Sequence, residues 1–354
     1  MAWLASLWSP SPPDSPFAPP SLLYSFLHHP LATAITFFHY LLLYLRGPSY
    51  KPAPFSNTRL PIRVVCISDT HTKIPSKPLP KGDLLIHCGD LSNRGTRSEI
   101  QQTLDWLKTL QKPWHGSSDG YRYIVMVAGN HDSYFDEKSR STYDRAQKHQ
   151  KLDFGNIIYL QHSSVTLPFP GDPIRKLKVY GAPQIPQCGG KEFAFQYPRG
   201  SDTWSKTIPD DVDVLVTHNP PKWHLDLPQA GGLGCEHELK EVWRVKPTLH
   251  VFGHVHSGYG YEHVWWDQSQ REFEEFQELA YGGKAPGAYS SPLLLELFNT
   301  QLWLKAAKVV YEDVRGIIWN RFGGGQRQGS IMINAALTYQ TTNTLRNRPQ
   351  AIEL

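Results

Sequence analysis

The chain has 354 residues, 40% of them hydrophobic, and a formal net charge of +4. This content is ample for a packed core, and the mild charge without a basic run argues against a nucleic-acid-binding surface. The four cysteines, Cys66, Cys88, Cys188 and Cys235, show no metal-binding spacing. We therefore expect reduced core thiols, no disulfide framework and a cytosolic location for the folded domain.

Two segments precede the first predicted strand. Residues 1–21 are rich in Pro and Ser, which predicts disorder. Residues 22–46 are predicted to form an apolar helix, because no Asp, Glu, Lys or Arg occurs from Ser15 to Leu45.

Two placements of this apolar helix stay open. Residues 22–45 could lie in or across a membrane, with the positive flank that starts at Arg46 keeping the rest of the chain cytoplasmic. A span needs about 20 apolar residues, and here that length must include His28, His29 and Pro30. The alternative is a helix that packs on the folded domain.

Five short apolar runs, rich in β-branched residues, predict strands that are buried on both faces. They span residues 62–68, 83–88, 123–128, 212–217 and 249–252. Because ligands gather at the carboxyl ends of strands in open α/β sheets, we expect the loops that follow these runs to meet in one crevice.

Helix-like periodicity appears in four further segments, with Ser98 as the N-cap of the first. These segments are residues 100–110, 142–150, 236–245 and 305–319. Residues from about 261 to 328 form an insertion without an assigned function, and a strand over 333–336 follows it.

The loops after the five strands carry two Asp, one Asn and five His: Asp69, His71, Asp90, Asn130, His131, His218, His254 and His256. Two divalent cations about 3.5–4 Å apart need many nitrogen and oxygen ligands, one of them shared. A mixed set of this kind suits Mn, Fe, Zn or Co. The two oxygens of Asp90 allow it to bridge the ions, and the sequence therefore predicts a dinuclear metal centre.

Other histidines are expected to be structural. His87 and His250 lie inside predicted strands, where a hydrogen-bonded core histidine is the favoured interpretation. His224 is close enough to His218 in sequence to line the same crevice, although a structural role is favoured for it too.

The ordered blocks D-x-H, G-D, G-N-H-D, H and G-H-x-H between residues 69 and 256 resemble the signature of the calcineurin-like metallophosphoesterase superfamily. The stretches Thr217–Pro221 and His250–Gly260 are similar to its metallophosphoesterase-domain branch, which includes fungal members. Ser257 stands where relatives often have Glu. The resemblance implies a four-layer α/β sandwich of two mixed β-sheets flanked by helices, within a domain at 60–340.

The resemblance also implies a role for each site residue. One ion would be held by Asp69, His71, Asp90 and His256. The other would be held by Asp90, Asn130, His218 and His254. His131 would stabilise the phosphoryl transition state and protonate the leaving oxygen, and Asp132 would orient His131.

The expected activity is hydrolysis of a small phosphoester by direct attack of a metal-bridging hydroxide on phosphorus. Phosphodiesters, cyclic nucleotides among them, are the substrate class that the resemblance implies. The alternatives are a phosphomonoesterase or protein phosphatase, and a metal- and nucleotide-binding protein of low turnover. The presence of both His254 and His256 argues against low turnover.

Overall fold

The computed structural model describes residues 9–15, 17–50, 61–111, 120–140, 150–171, 173–283, 296–323 and 329–354. The chain divides into two compact units. The sheet unit comprises the described residues of Pro52–Pro221, Cys235–Tyr261 and Met332–Leu354. The helical unit comprises the described residues of Met1–Lys51, Lys222–Gly234 and Glu262–Ile331.

The strands and helices of these ranges are labelled in chain order. The strands are β1 (Arg63–Ile67), β2 (Leu84–Cys88), β3 (Tyr123–Val127), β4 (Ile158–Tyr159), β5 (Ser163–Phe169), β6 (Arg175–Ala182), β7 (Ile185–Pro186), β8 (Gln196–Tyr197), β9 (Val214–Thr217), β10 (Leu249–Phe252), β11 (Gly260–Trp265), β12 (Gly329–Asn334) and β13 (Gln350–Glu353). The α-helices are α1 (Leu22–His28), α2 (Pro30–Arg46), α3 (Arg97–Thr109), α4 (Glu236–Val245), α5 (Gln268–Tyr281) and α6 (Thr300–Phe322).

Two mixed sheets are present, as the family resemblance implies. The first has the order β13-β1-β2-β3-β4, with β13 antiparallel to β1 and the other neighbours parallel. The second has the order β11-β12-β10-β9-β6-β5, in which β10, β9 and β6 run parallel and β5 is antiparallel to β6. The predicted class, two mixed sheets flanked by helices, is confirmed.

The central strands are buried on both faces. Every residue of β2, β9 and β10 is buried, which explains their continuous apolar sequences. On one side of the first sheet, Ile100, Leu104 and Leu107 of α3 pack with Leu85 and Met126 in a single hydrophobic cluster. This packing holds the carboxyl ends of β1, β2 and β3 together at one edge.

The amino end of α3 differs from the prediction. Its cap is Thr96, whose hydroxyl accepts a hydrogen bond from the backbone N–H of Glu99 at 3.2 Å. The Glu99 carboxylate accepts in return from the N–H of Thr96, so the two residues form a capping box. Ser98 therefore lies inside the first turn, and the Ser98 cap is wrong. The predicted helix over 142–150 lies almost entirely outside the described residues.

The amino-terminal segment forms two helices where the sequence predicts one. They separate at His29, whose φ and ψ are −139° and 62°. Pro30 is the first residue of α2, and a residue before proline is disfavoured from the helical conformation. The ring itself is tolerated there because the first helical N–H has no partner within the helix.

None of the helices in the described ranges is long and apolar enough to cross a membrane.

Buried polar contacts fix α2 within the helical unit, where it packs against α5 and α6. The Nδ1 atom of His39 lies 2.9 Å from Asp313 on α6, and the His39 ring stacks on Phe273 at 3.7 Å. Arg46 donates to Asp267 at 2.5 Å. The amino-terminal helices and the insertion, distant in sequence, therefore fold together as one unit.

Asp313→Ala should destabilise the helical unit by about 3 kcal/mol, because it leaves His39 buried without its carboxylate. Thermal and denaturant unfolding of the full chain would measure the loss. Glu312→Ala is the matched control: Glu312 pairs with Arg315, whose side chain is 50% exposed, so a change of at most about 0.5 kcal/mol is expected. Equal losses in the two variants would contradict a special contribution from the buried pair.

Candidate metal centre

The predicted site residues all lie in the sheet unit, in loops at the carboxyl ends of strands from both sheets. Asp69 and His71 follow β1, Asp90 follows β2, and 130–132 follow β3. His218 follows β9, and His254 and His256 follow β10. Ligand atoms within 4.8 Å of one another occur in three overlapping groups: Asp69 with His71 and His256, His71 with Asp90 and His131, and Asp69 with Asp90 and His218.

Asp90 lies between two sets of ligands. Its Oδ1 is 3.4 Å from Nε2 of His218, and its Oδ2 is 3.8 Å from Nε2 of His71. Nε2 of His218 is in turn 2.9 Å from Oδ1 of Asn130. The two oxygens of one carboxylate thus face different imidazoles, which is the arrangement required of a bridging ligand.

The second set surrounds Asp69. Nε2 of His256 lies 3.3 Å from Oδ1 of Asp69 and 3.3 Å from Nε2 of His71. The backbone N–H of His254 donates to the Asp69 carboxylate at 3.1 Å, and the His254 ring lies 5.2 Å from that of His218. All seven predicted metal ligands are therefore brought to one edge of the two sheets.

Backbone carbonyls select the tautomer of three imidazoles. Nδ1 lies 2.8 Å from the Cys88 carbonyl in His218, 3.0 Å from the Gln340 carbonyl in His256, and 2.8 Å from the Asn93 carbonyl in His131. Because a carbonyl only accepts, each Nδ1 carries a proton. In a neutral ring Nε2 then offers a lone pair towards the centre, as in metal-binding histidines.

The tautomer of His256 shows whether the space between His256 and His71 suits a cation. In a neutral His256 ring with Nδ1 donating, Nε2 is an acceptor, yet it faces Nε2 of His71 at 3.3 Å. If Nε2 of His71 donated across this gap, Nδ1 of a neutral His71 would carry a lone pair instead of a proton. Among the described residues, this buried Nδ1 has no hydrogen-bond partner. A cation between the rings would accept both Nε2 lone pairs, so the donor set fits a metal.

The loops hold their ligands in an uncommon backbone conformation. Asp69, His71, Asp90 and His254 have φ of 55°, 46°, 53° and 63°, a region that few residues other than glycine occupy. Such conformations persist where the surrounding structure enforces them, often at functional sites. Gly129 is required for a different reason: a Cβ there would overlap Oδ1 of Asp90.

The two carboxylates are ionised although both are buried. Burial opposes ionisation of Asp69, but the nearby imidazole of His256 holds its pKa well below the usual range. Burial likewise opposes ionisation of Asp90, and the charges of His218, His131 and His71 lower its pKa. Burial, with the charge of His218, lowers the pKa of His254 to about 3 and leaves that ring neutral.

The pKa of His131 is shifted in the opposite direction to that of His254. Burial alone would lower its pKa, but the charge of Asp90 and the hydrogen bond to the Asn93 carbonyl outweigh burial, and the pKa is raised. Its backbone N–H donates to Asp90 at 2.8 Å. The ring of Phe193 lies 5.0 Å away. This imidazole therefore borders the candidate ligands and retains its second proton to a higher pH than an ordinary histidine does.

The predicted contact, in which Asp132 orients the His131 ring, is wrong. The Asp132 carboxylate accepts four hydrogen bonds at 2.7–3.1 Å, from the N–H groups of Leu91, Ser92 and Gly129 and from the Ser92 hydroxyl. It therefore joins the loop of Asp90 to the loop of Asn130, while the Asn93 carbonyl holds Nδ1 of His131. Asp132 therefore supports the loop that carries Asn93, and its charge also contributes to the raised pKa of His131.

Three further histidines, His87, His250 and His224, have polar partners outside the candidate centre. Nε2 of His87 lies 3.0 Å from the Thr70 hydroxyl, and Nε2 of His250 lies 2.8 Å from the Thr217 hydroxyl. Burial lowers the pKa of His87 to about 4. His224 belongs to the helical unit, between Glu262 at 2.7 Å and Glu274 at 3.1 Å.

Carboxylates, an amide and imidazoles thus meet at the carboxyl ends of strands from two mixed sheets. Residues 62–258 match the family described as Calcineurin-like phosphoesterase. The chain belongs to this family, whose members use two metal ions, and the predicted resemblance is confirmed.

Three relatives illustrate the match. Metallophosphoesterase domain-containing protein 1 of Homo sapiens is 36% identical over 60% of this chain and 65% of its own length. A UPF0046 protein of Caenorhabditis elegans is 33% identical over 56% of this chain and 65% of its length. A protein of Emericella nidulans named as a probable rhamnogalacturonate lyase C is 42% identical over 61% of this chain but only 19% of its length. The chain thus spans less than two thirds of each.

Asp132→Ala should weaken metal binding about 10–100-fold, the usual effect of removing support from metal ligands. It should also lower the stability of the metal-free protein by about 3 kcal/mol, because four donors lose their acceptor. Metal titration and thermal unfolding would measure both. His131→Ala is the control, since it should change neither quantity much. If the two variants behaved alike in both assays, the joining of the loops would be refuted.

Proposed function

We propose that this chain hydrolyses phosphodiesters, cyclic nucleotides first among them, at a centre of two divalent ions drawn from Mn, Fe, Zn or Co. The observation that carries the proposal is Asp90, whose two oxygens face His71 and His218 at 3.8 and 3.4 Å. A single ion needs no such carboxylate at the middle of its ligands. Family membership supports the broader class, metal-dependent phosphoester hydrolysis.

The ligands divide into two sets around Asp90. Asp69, His71 and His256 would hold one ion with Asp90, and Asn130, His218 and His254 would hold the other. Two ions there would supply a nucleophilic water near neutral pH and would neutralise charge on the phosphate oxygens. The amide nitrogen of Asn130 remains able to donate to a phosphate oxygen while its Oδ1 binds metal.

His131 is the proposed general acid. The Asn93 carbonyl fixes its ring at Nδ1, so Nε2 is the nitrogen that can deliver a proton to the leaving oxygen. Phe193 is an aromatic neighbour of the ring, at 5.0 Å. An aromatic side chain beside the leaving group suits a nucleoside, which supports nucleotides as the substrate.

The substrate class can be tested with two aryl esters. With added Mn²⁺, bis(p-nitrophenyl) phosphate should be hydrolysed faster than p-nitrophenyl phosphate, and EDTA should abolish both activities. A reversed preference would instead favour a phosphomonoesterase. Hydrolysis of neither ester, with two ions bound, would favour a binding protein of low turnover. Cyclic nucleotides would then be compared with linear ones.

Two substitutions should separate metal binding from proton transfer. Asp90→Ala should lose both ions and nearly all activity, because it removes the ligand that the two sets share. His131→Ala should keep both ions while kcat falls about 10²–10⁴-fold, the usual contribution of a positioned acid. Metal analysis and kcat would be measured on the same samples.

The leaving group provides the internal control. The defect of His131→Ala should shrink for an ester whose leaving group has a low pKa, since protonation then matters less. Two ions retained by Asp90→Ala would refute its bridging role, and loss of metal from His131→Ala would make His131 a ligand.

A further inference from the structure

Helix α2 exposes apolar side chains on its outer side. The exposed fractions of Phe37, Phe38, Leu41, Tyr44 and Leu45 range from 40% to 82%. Their spacing places them on one side of the helix, opposite His39, which is buried against Asp313. An outer helix face in water normally carries charged or polar residues, whereas this face has none.

Helix α6 repeats the feature. The residues Trp303, Leu304, Tyr311, Val314, Ile318 and Phe322 are exposed by 41% to 84%. Leu304, Tyr311 and Ile318 recur every seven residues and so follow one another along a single side of the helix. We call these five α2 and six α6 side chains the apolar faces of the helical unit.

Basic residues of α6 lie beside its apolar face. Lys308, Arg315 and Arg321 are exposed on α6, and Lys308 and Arg315 each lie four residues after a member of the face, hence next to it. Of the two acidic side chains of α6, Asp313 is buried, and Glu312 pairs with Arg315 at 2.7 Å, so Lys308 and Arg321 carry the positive charge of this face. The only charged residue of α2, Arg46, is itself buried.

We propose that the apolar faces of α2 and α6 bind the headgroup boundary of an anionic lipid bilayer, with both helices lying in its surface. Exposed aromatic and aliphatic side chains beside basic residues are the composition of interfacial helices. Trp and Tyr are also the residues enriched at the level of lipid headgroups. Lys308 and Arg321 would face the lipid phosphates and carboxylates.

A lipid surface fits these features better than a second copy of the chain. A two-fold dimer would place the apolar faces of the helical unit against the same faces of a second copy. Both copies would then bring the same positive charge to the interface. The α2 face is also broad: it includes the adjacent pairs Phe37–Phe38 and Tyr44–Leu45, whereas a coiled-coil seam uses a narrow stripe. A bilayer accepts a broad face and complements the positive charge.

The test uses the full chain and sedimentation with vesicles. The protein should bind vesicles of phosphatidylcholine and phosphatidylserine, and bind phosphatidylcholine alone at least fivefold more weakly, since one basic residue contributes about that factor. Phe37→Glu/Leu41→Glu and Leu304→Glu/Ile318→Glu should each weaken binding at least tenfold. Ile74→Glu/Ile174→Glu is the control, because these side chains are 54% and 64% exposed in the sheet unit, and it should bind as the unaltered protein does.

A second variant separates charge from apolar contact. Lys308→Glu/Arg321→Glu should abolish the preference for phosphatidylserine and leave binding to phosphatidylcholine nearly unchanged. Unaltered melting temperature and phosphoester hydrolysis would show that each variant is folded. The proposal is overturned if the unaltered protein does not sediment with vesicles, or if the control variant loses binding equally. It is also overturned if the face variants convert a dimer into a monomer without changing vesicle binding.

Discussion

The buried negative charge of Asp90 is the constraint on which the rest of the sheet unit depends. A carboxylate that is 2% exposed is stable only with compensating partners. Its partners come from separate strands: His71 after β1, His131 after β3 and His218 after β9. Both sheets must therefore meet at these ends before the charge is compensated.

Support beneath the ligands follows one pattern in both sheets. Thr70 stands between Asp69 and His71 and bonds His87, which lies on the next strand. Thr217 precedes His218 and bonds His250, again on a neighbouring strand. Each pair ties the backbone beside a ligand to the interior of the adjacent strand. A site assembled from loops is thereby positioned by strands, which hold geometry better than loops do.

The sequence predicted the strands, and the proximity of the candidate ligands at their carboxyl ends, for physical reasons. Strands buried on both faces must be continuously apolar, and ligands must be residues of particular chemistry, so both leave a record in residue type. The groups that orient these side chains cannot be recognised from residue type. The carbonyls of Asn93 and Gln340 that orient His131 and His256 belong to the backbone, which every residue possesses.

Long-range packing was equally hidden from the sequence. His39 and Asp313 are 274 positions apart, and neither has a local pattern that names the other. The charge-free stretch from Ser15 to Leu45 was consistent with a membrane helix and with a packed one, because hydropathy does not distinguish lipid from protein. The Asp132 contact was missed because a carboxylate beside a histidine has alternatives, and here backbone N–H groups are nearer.

Asp69, His71, Asp90 and His254 have a left-handed backbone conformation. This conformation lowers local stability, although the proposed function needs these side chains. A side chain in this conformation costs up to about 1–2 kcal/mol relative to glycine. Replacement of such a ligand by glycine would relax the loop while destroying the centre. Selection for stability alone would therefore favour glycine at these four positions. The side chains found there are kept at the expense of local stability. The centre thus limits how far this protein can be stabilised through its own loops without loss of the chemistry they carry.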